Sequence, residues 1–237
     1  MASKNFIAAG LRFIFILGLS LGFWSNSYAQ QQNFAGYFYP EFSLEVPAGR
    51  AWTFEITLKD QYYAYQEGQF DFEGKTLRLD GAVSRSLGHK QAVSLGFKYY
   101  IESIYDLEAD NKVRITEAYK HFLGSTGDLD FTGRFKFEQE TDRFFHWLKS
   151  RYKLKMKFPL IKSQDPLKQL FMSISPEMIW EVEKGERSVF EQRLEVALSK
   201  DLAKAISAKM GLEYRIKDYT AHPFHKLILK AGVTAGL

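Results

Sequence analysis

The chain contains no cysteine in 237 residues, which excludes disulfide-stapled folds, thiol catalysis and cysteine zinc sites together. It also lacks a dominant charge, since 32 basic side chains stand against 28 acidic ones. That balance is not the strongly basic pattern of a nucleic-acid binder. No segment after the first 29 residues approaches the about 20 consecutive apolar residues a spanning helix needs. Aromatics, by contrast, are plentiful: 16% of the chain is aromatic and 46% hydrophobic, which excludes low-complexity disorder. The length suits one domain or one barrel.

The start of the chain reads as a secretory signal peptide. Lys4 and Arg12 give a short basic region, Phe13 to Phe23 is uncharged and apolar, and Ser27-Tyr28-Ala29 places small residues at the positions a signal peptidase requires. The expected division is therefore a signal peptide over residues 1–29 and one domain over residues 30–237. Loss of the leader removes Lys4 and Arg12 and lowers the net charge from +4 to +2. No cysteine follows the apolar core, so a lipoprotein anchor is excluded.

The remaining chain alternates apolar and polar residues with period two, the signature of strands. In the segment from Phe144 to Phe158, Leu148, Tyr152, Leu154, Met156 and Phe158 share one face, while Lys149, Arg151, Lys153, Lys155 and Lys157 share the other. Phe131, Phe135 and Phe137 alternate with Arg134, Lys136 and Glu138, and Val93, Leu95, Phe97 and Tyr99 with Ser94, Gly96 and Lys98. Eleven such segments follow one another. Bacterial single-chain barrels have even strand counts, so ten or twelve strands are expected. Tight connections such as Pro47-Ala48-Gly49 and Lys200-Asp201 alternate with longer ones, as in barrels with one rim of short turns. Two connections do not fit: residues 159–168 are too long, and Thr141-Asp142 too short. The expected fold is all-β, a transmembrane antiparallel up-and-down barrel of about 10–12 strands.

Alternation does not say which face points inward, because a soluble lipid carrier hides its apolar face and a membrane barrel displays it. Segment length favours the membrane, since crossing takes about 9–11 tilted residues and soluble strands average about 5–6. The expected interfacial aromatics are Tyr99, Phe137, Phe144, Trp180, Phe190 and Tyr214 on the long-loop rim, with Trp52, Tyr119 and Phe158 on the other. The expected lumen-lining charges are Arg134, Lys136, Glu138, Lys149, Arg151, Lys153, Lys155, Lys157, Glu177, Glu181, Glu191, Arg193 and Glu195, paired across strands in a narrow interior. Glu117 opposes this orientation, falling mid-strand on the supposed lipid face unless a bulge resets the register.

Phe34 to Arg50, Trp52 to Tyr65, Gly133-Arg134-Phe135-Lys136-Phe137-Glu138-Gln139, Arg143-Phe144-Phe145 and Leu148 to Pro159 together resemble a family of outer-membrane proteins of Bacteroidota-type bacteria, the domain of unknown function 2490. The leader's ending in Tyr-Ala-Gln is similar too. The resemblance spans most of the chain after the leader and implies a β-barrel in the outer membrane, with no established activity or ligand. Leu237 stands where barrels usually finish on an aromatic residue.

No motif of catalysis stands out. Gly-x-Ser-x-Gly, His-Glu-x-x-His and a P-loop are all missing from the sequence. His146 and Ser150 share a strand face, but four residues span about 13 Å along a strand, beyond hydrogen-bond reach. Ser150-Arg151-Tyr152-Lys153 matches Ser-x-x-Lys, a motif whose serine opens a helix, whereas this segment is strongly strand-like. Asp106, Glu108, Asp110 and Asn111 place oxygens at alternating loop positions, as a calcium site or a divalent bridge to lipopolysaccharide would; a solvated turn is the simpler reading. The expectation is a porin-like outer-membrane protein without catalysis: a structural element, a narrow channel or a docking protein. A lipid-modifying hydrolase and a soluble periplasmic lipid-binding barrel are the alternatives. No cofactor, metal or nucleic acid is expected. The expected partners are the outer-membrane bilayer, lipopolysaccharide and the barrel-assembly machinery.

Overall fold

A computed structural model describes residues 33–237 apart from 67, 89, 142–145 and 184. The signal-peptide reading of residues 1–29 therefore lies outside the described residues. Eleven strands form in chain order: β1 (Phe34–Ala48), β2 (Trp52–Tyr65), β3 (Glu73–Gly88), β4 (Gln91–Ile101), β5 (Lys112–Thr126), β6 (Leu129–Thr141), β7 (His146–Ile161), β8 (Leu170–Glu183), β9 (Val189–Ala203), β10 (Ile206–Lys217) and β11 (Phe224–Gly236). They close into one barrel in which every neighbour is consecutive in sequence except the closing pair, β1 with β11.

The closing pair is parallel, running from Phe34 opposite His225 to Glu45 opposite Gly236. This corrects two expectations, an even strand count and a fully antiparallel wall. The eleven alternating segments are eleven strands, and an odd up-and-down series leaves its first and last strands pointing the same way. Phe34 therefore stands on one rim and Gly236 on the other.

Connections on one rim are tight, at residues 49–51, 127–128 and 204–205. Gly127 takes a φ of 61° there, left-handed backbone that glycine reaches without steric cost. The exception is residues 162–169. A 3₁₀ turn over Pro166–Lys168 is capped there by the Asp165 carboxylate, which accepts from the Leu167 amide. That turn accounts for the connection that looked too long for a hairpin. The opposite rim carries the longer loops 66–72, 102–111 and 218–223.

Alternation sends every second side chain outward. Phe42, Phe54, Ile56, Leu58, Leu95, Phe97 and Met210 are exposed on the outer wall, whereas Lys59, Glu138, Glu177, Glu195 and Glu213 are buried inside. The usual arrangement of a water-soluble domain is inverted: the charged face is the core, and about 30 large hydrophobic side chains would meet water if water surrounded the barrel. No helix among the described residues is long and apolar enough to cross a membrane, a fact that does not bear on strands.

Candidate functional site

The interior is built by strand registers that bring charged side chains of both signs together. Arg134 opposite Lys153, Lys136 opposite Arg151 and Glu138 opposite Lys149 place β6 against β7, and Lys149 opposite Glu181 and Lys153 opposite Glu177 place β7 against β8. Glu138 is fully buried and is surrounded by Arg151 at 3.0 Å, Lys98 and Arg114 at 3.3 Å, and Lys136 at 3.8 Å. Arg151 bridges onward to Glu177 at 2.9 Å, which Arg193 also approaches at 3.7 Å. Glu195 gathers Lys153 at 3.0 Å, Lys230 at 3.2 Å and Lys209. Lys230 continues to Glu213 at 2.6 Å, and Glu213 also holds Arg215. Lys149 lies 3.4 Å from both Glu140 and Glu181, and Arg193 lies 2.5 Å from Glu191. The ion pairs form two groups, one around Glu138 and Glu177 and one around Glu195 and Glu213, which together reach from β4 around to β11.

Beside this network, toward the long-loop rim, Ala35, Tyr37, Tyr39 and Ile228 form a small apolar cluster inside the barrel, joined by Tyr63 and Phe224. Tyr100 lies between the guanidinium groups of Arg114 and Arg78, 4.9 and 5.5 Å from its ring centre. Bulky side chains thus occupy the long-loop half. Toward the short-turn rim the same strands turn Ser43, Thr57, Ala82, Ser84, Ser94 and Ala118 inward. Lys155 and Lys157 point inward there as well.

On the outer wall Trp52, Tyr99, Trp180, Phe190 and Tyr214 face out near strand ends, and Phe158 does so opposite Met172 near the short-turn rim. Phe137 also faces outward, opposite Ser150. Tyr119 faces outward seven residues from either end of β5, opposite Val93 near the start of β4. Phe144 lies outside the described residues. Glu117 stays outward and exposed between Leu95 and Phe137. The register shift in that ladder comes between Phe122 and Gly124, too late to turn it inward.

The candidate reactive groups do not assemble. Ser150 faces outward and Lys153 inward, so the Ser-x-x-Lys pair is split by the wall. His146 is within hydrogen-bond distance of Thr141 at 3.0 Å and His225 of Tyr214 at 2.6 Å, both outside. His121 stacks on Tyr119 and occupies the hollow left by Gly133 on the outer wall. Within the acidic loop the Asn111 side-chain oxygen accepts from the Glu102 and Ser103 amides, and Asp106 accepts from the Glu108 amide. These oxygens close the loop on itself. Among the described residues no group of carboxylates and histidines is arranged to hold a metal ion.

A family model described as Protein of unknown function (DUF2490) matches residues 22–226. The chain belongs to that family. No curated protein matches the sequence. Within the matched residues, the stretch Gly133 to Gln139 supplies both Glu138 to the interior network and the Gly133 hollow that receives His121. This explains in packing terms why a glycine stands there: a side chain at that position would collide with the imidazole.

Proposed function

We propose that this DUF2490 protein is an outer-membrane barrel without catalysis, serving as a structural or docking element whose ion-paired interior blocks free passage. The observation that carries this reading is the inversion of polarity, an apolar outer wall around a buried charged core. Lipid is the environment in which that arrangement is favourable, because closed barrels satisfy all backbone groups and leave only side chains to face hydrocarbon. A soluble lipid carrier would need the opposite arrangement, with an apolar cavity inside. Bulky side chains fill the long-loop half of the interior, which favours a closed barrel over a channel. The longer loops would face outward from the cell and the tight turns the periplasm, as in other bacterial barrels.

The test is planar-bilayer conductance of the refolded mature chain, together with membrane fractionation of cells expressing it. The expected outcome is recovery in the outer-membrane fraction with no sustained ion flow. Recovery in the aqueous fraction would overturn the membrane reading, and steady conductance would replace the closed barrel with a narrow channel.

A further inference from the structure

We infer that the short-turn half of the barrel interior is a recess that binds a phosphate-type oxyanion on a basic wall formed by β5, β6 and β7. Three basic residues stand side by side on this wall, Lys120 opposite Arg134 and Arg134 opposite Lys153. Lys155 follows on β7, opposite Thr132. Like charges placed directly opposite one another destabilise a sheet. Elsewhere in the interior such pairs are relieved by a carboxylate: Lys136 opposite Arg151 has Glu138, and Arg193 opposite Arg215 has Glu191 and Glu213.

Here the relief is missing. Only Lys153 has an acidic partner, Glu195, which already serves Lys209 and Lys230. Among the described residues, Lys120, Arg134 and Lys155 have no carboxylate within ion-pair distance. Glu177, the acid opposite Lys153 on β8, is engaged by Arg151 and Arg193.

The nearest remaining acid among the described residues is Asp130, which lies on the same face opposite Lys157, accepts from the Ser125 hydroxyl and forms no ion pair with the wall. Ala92 stands opposite Lys120, with Ser94 next along the same face of β4, and Ser173 and Ala197 follow Lys157 on β8 and β9. Their short side chains leave space, and the serines add hydroxyl donors. Lys120 remains exposed although it points inward, which marks an opening toward the short-turn rim. Across the interior, β1 and β2 bring Glu45 opposite Glu55, so the recess is basic on one wall and acidic on the other. An incoming anion therefore settles against Arg134. A guanidinium bonds two oxygens of a phosphate at once while lysines add point charge.

The recess is interior whether or not the wall meets lipid, so its test is separate from that of membrane location. The mature chain, refolded in an uncharged detergent at low ionic strength, is titrated calorimetrically with inorganic phosphate. Saturable binding is expected, weakened at least tenfold in an Arg134→Gln, Lys155→Gln variant and unchanged in Lys200→Gln, which alters the outer wall. Absence of saturable heat, or equal weakening by Lys200→Gln, would overturn the site. Thermal unfolding supplies a second measurement independent of the calorimetry. Without phosphate the double variant melts no lower than the parent, because it removes repulsion, and phosphate raises the midpoint of the parent alone. A double variant that melts lower, or gains as much from phosphate, would also sink the proposal. A parallel titration with dihexanoyl phosphatidylglycerol below its micelle concentration distinguishes a lipid headgroup, which binds more tightly than phosphate, from a free anion, which binds phosphate more tightly.

Discussion

Glu138 shows how much one side chain holds in this barrel. It has no exposed surface and four cations within 4 Å, so Glu138→Gln keeps the shape and leaves the cations facing one another. Removing one partner of a buried ion pair costs about 3–5 kcal/mol, and equilibrium urea unfolding in vesicles is expected to show a loss of that order. Glu55→Gln is the control, since Glu55 accepts a hydrogen bond from Thr57 and is ion-paired to no cation among the described residues. A loss below about 1 kcal/mol for Glu138→Gln would mean that water already screens the network. The position of Glu138 was legible in the sequence because it alternates with Phe135 and Phe137. Its partners were not, since Lys98 and Arg114 come from β4 and β5 and only the ladder registers bring them near. Glu117 was legible as a conflict and stays one, a carboxylate between Leu95 and Phe137 on an apolar wall. A charge there costs stability in a lipid setting, though less for Glu than for Lys or Arg.

The strands themselves could be read directly, since period-two alternation over 11 to 16 residues fits no helix. Their connections were harder. The Asp165 cap that folds residues 162–169 into a 3₁₀ turn is one side-chain hydrogen bond, and nothing in the hydropathy pattern announces it. On the other rim the loop after β4 bends outward, where Tyr105 donates to the Asp60 carboxylate at 2.8 Å and lays its ring over Gly74. Burial, helped by that hydrogen bond, raises the Tyr105 hydroxyl above its ordinary range. The connections after β8 and β10 are joined by Arg187, which donates to both Asp218 oxygens at 2.7 Å. This hydrogen-bonded pair holds the Asp218 carboxyl below its usual value of 3.8. A carboxyl lowered in the folded state stabilises the clasp above its unfolded value and loses that contribution as pH falls through the folded one. Amide hydrogen exchange of residues 185–188 and 218–221 is therefore expected to stay slow from neutral pH to about 4 and to quicken only below it, after correction for intrinsic exchange. In Arg187→Gln exchange is fast throughout. A clasp that already loosens between pH 6 and 5 would show that Asp218 does not control it.

At the scale of the whole molecule, the closure of the barrel was the feature least available from sequence. Each antiparallel hairpin is local, so alternation and turn residues specify it. The seam joins β1 to β11 across the full length of the domain, and neither strand carries a mark of its partner. Expecting an even count came from what other barrels do, not from residues of this chain. The seam is regular: twelve residue pairs run in unbroken parallel register, and the Leu237 amide adds a hydrogen bond to the Glu45 carbonyl at 3.0 Å. An odd count has a topological consequence that can be measured. Residue 33 and residue 237 lie on opposite rims, whereas an even barrel would bring its ends to the same rim. Because the chain contains no cysteine, single substitutions Asn33→Cys, Leu107→Cys, Asp128→Cys and Leu237→Cys can be labelled without background by a membrane-impermeant maleimide. In intact cells Asn33→Cys is expected to label with Leu107→Cys, on the long-loop side, while Asp128→Cys and Leu237→Cys label only after the outer membrane is permeabilised. Labelling of Asn33→Cys together with Leu237→Cys, from either side, would rule out the parallel seam and require an even-stranded barrel.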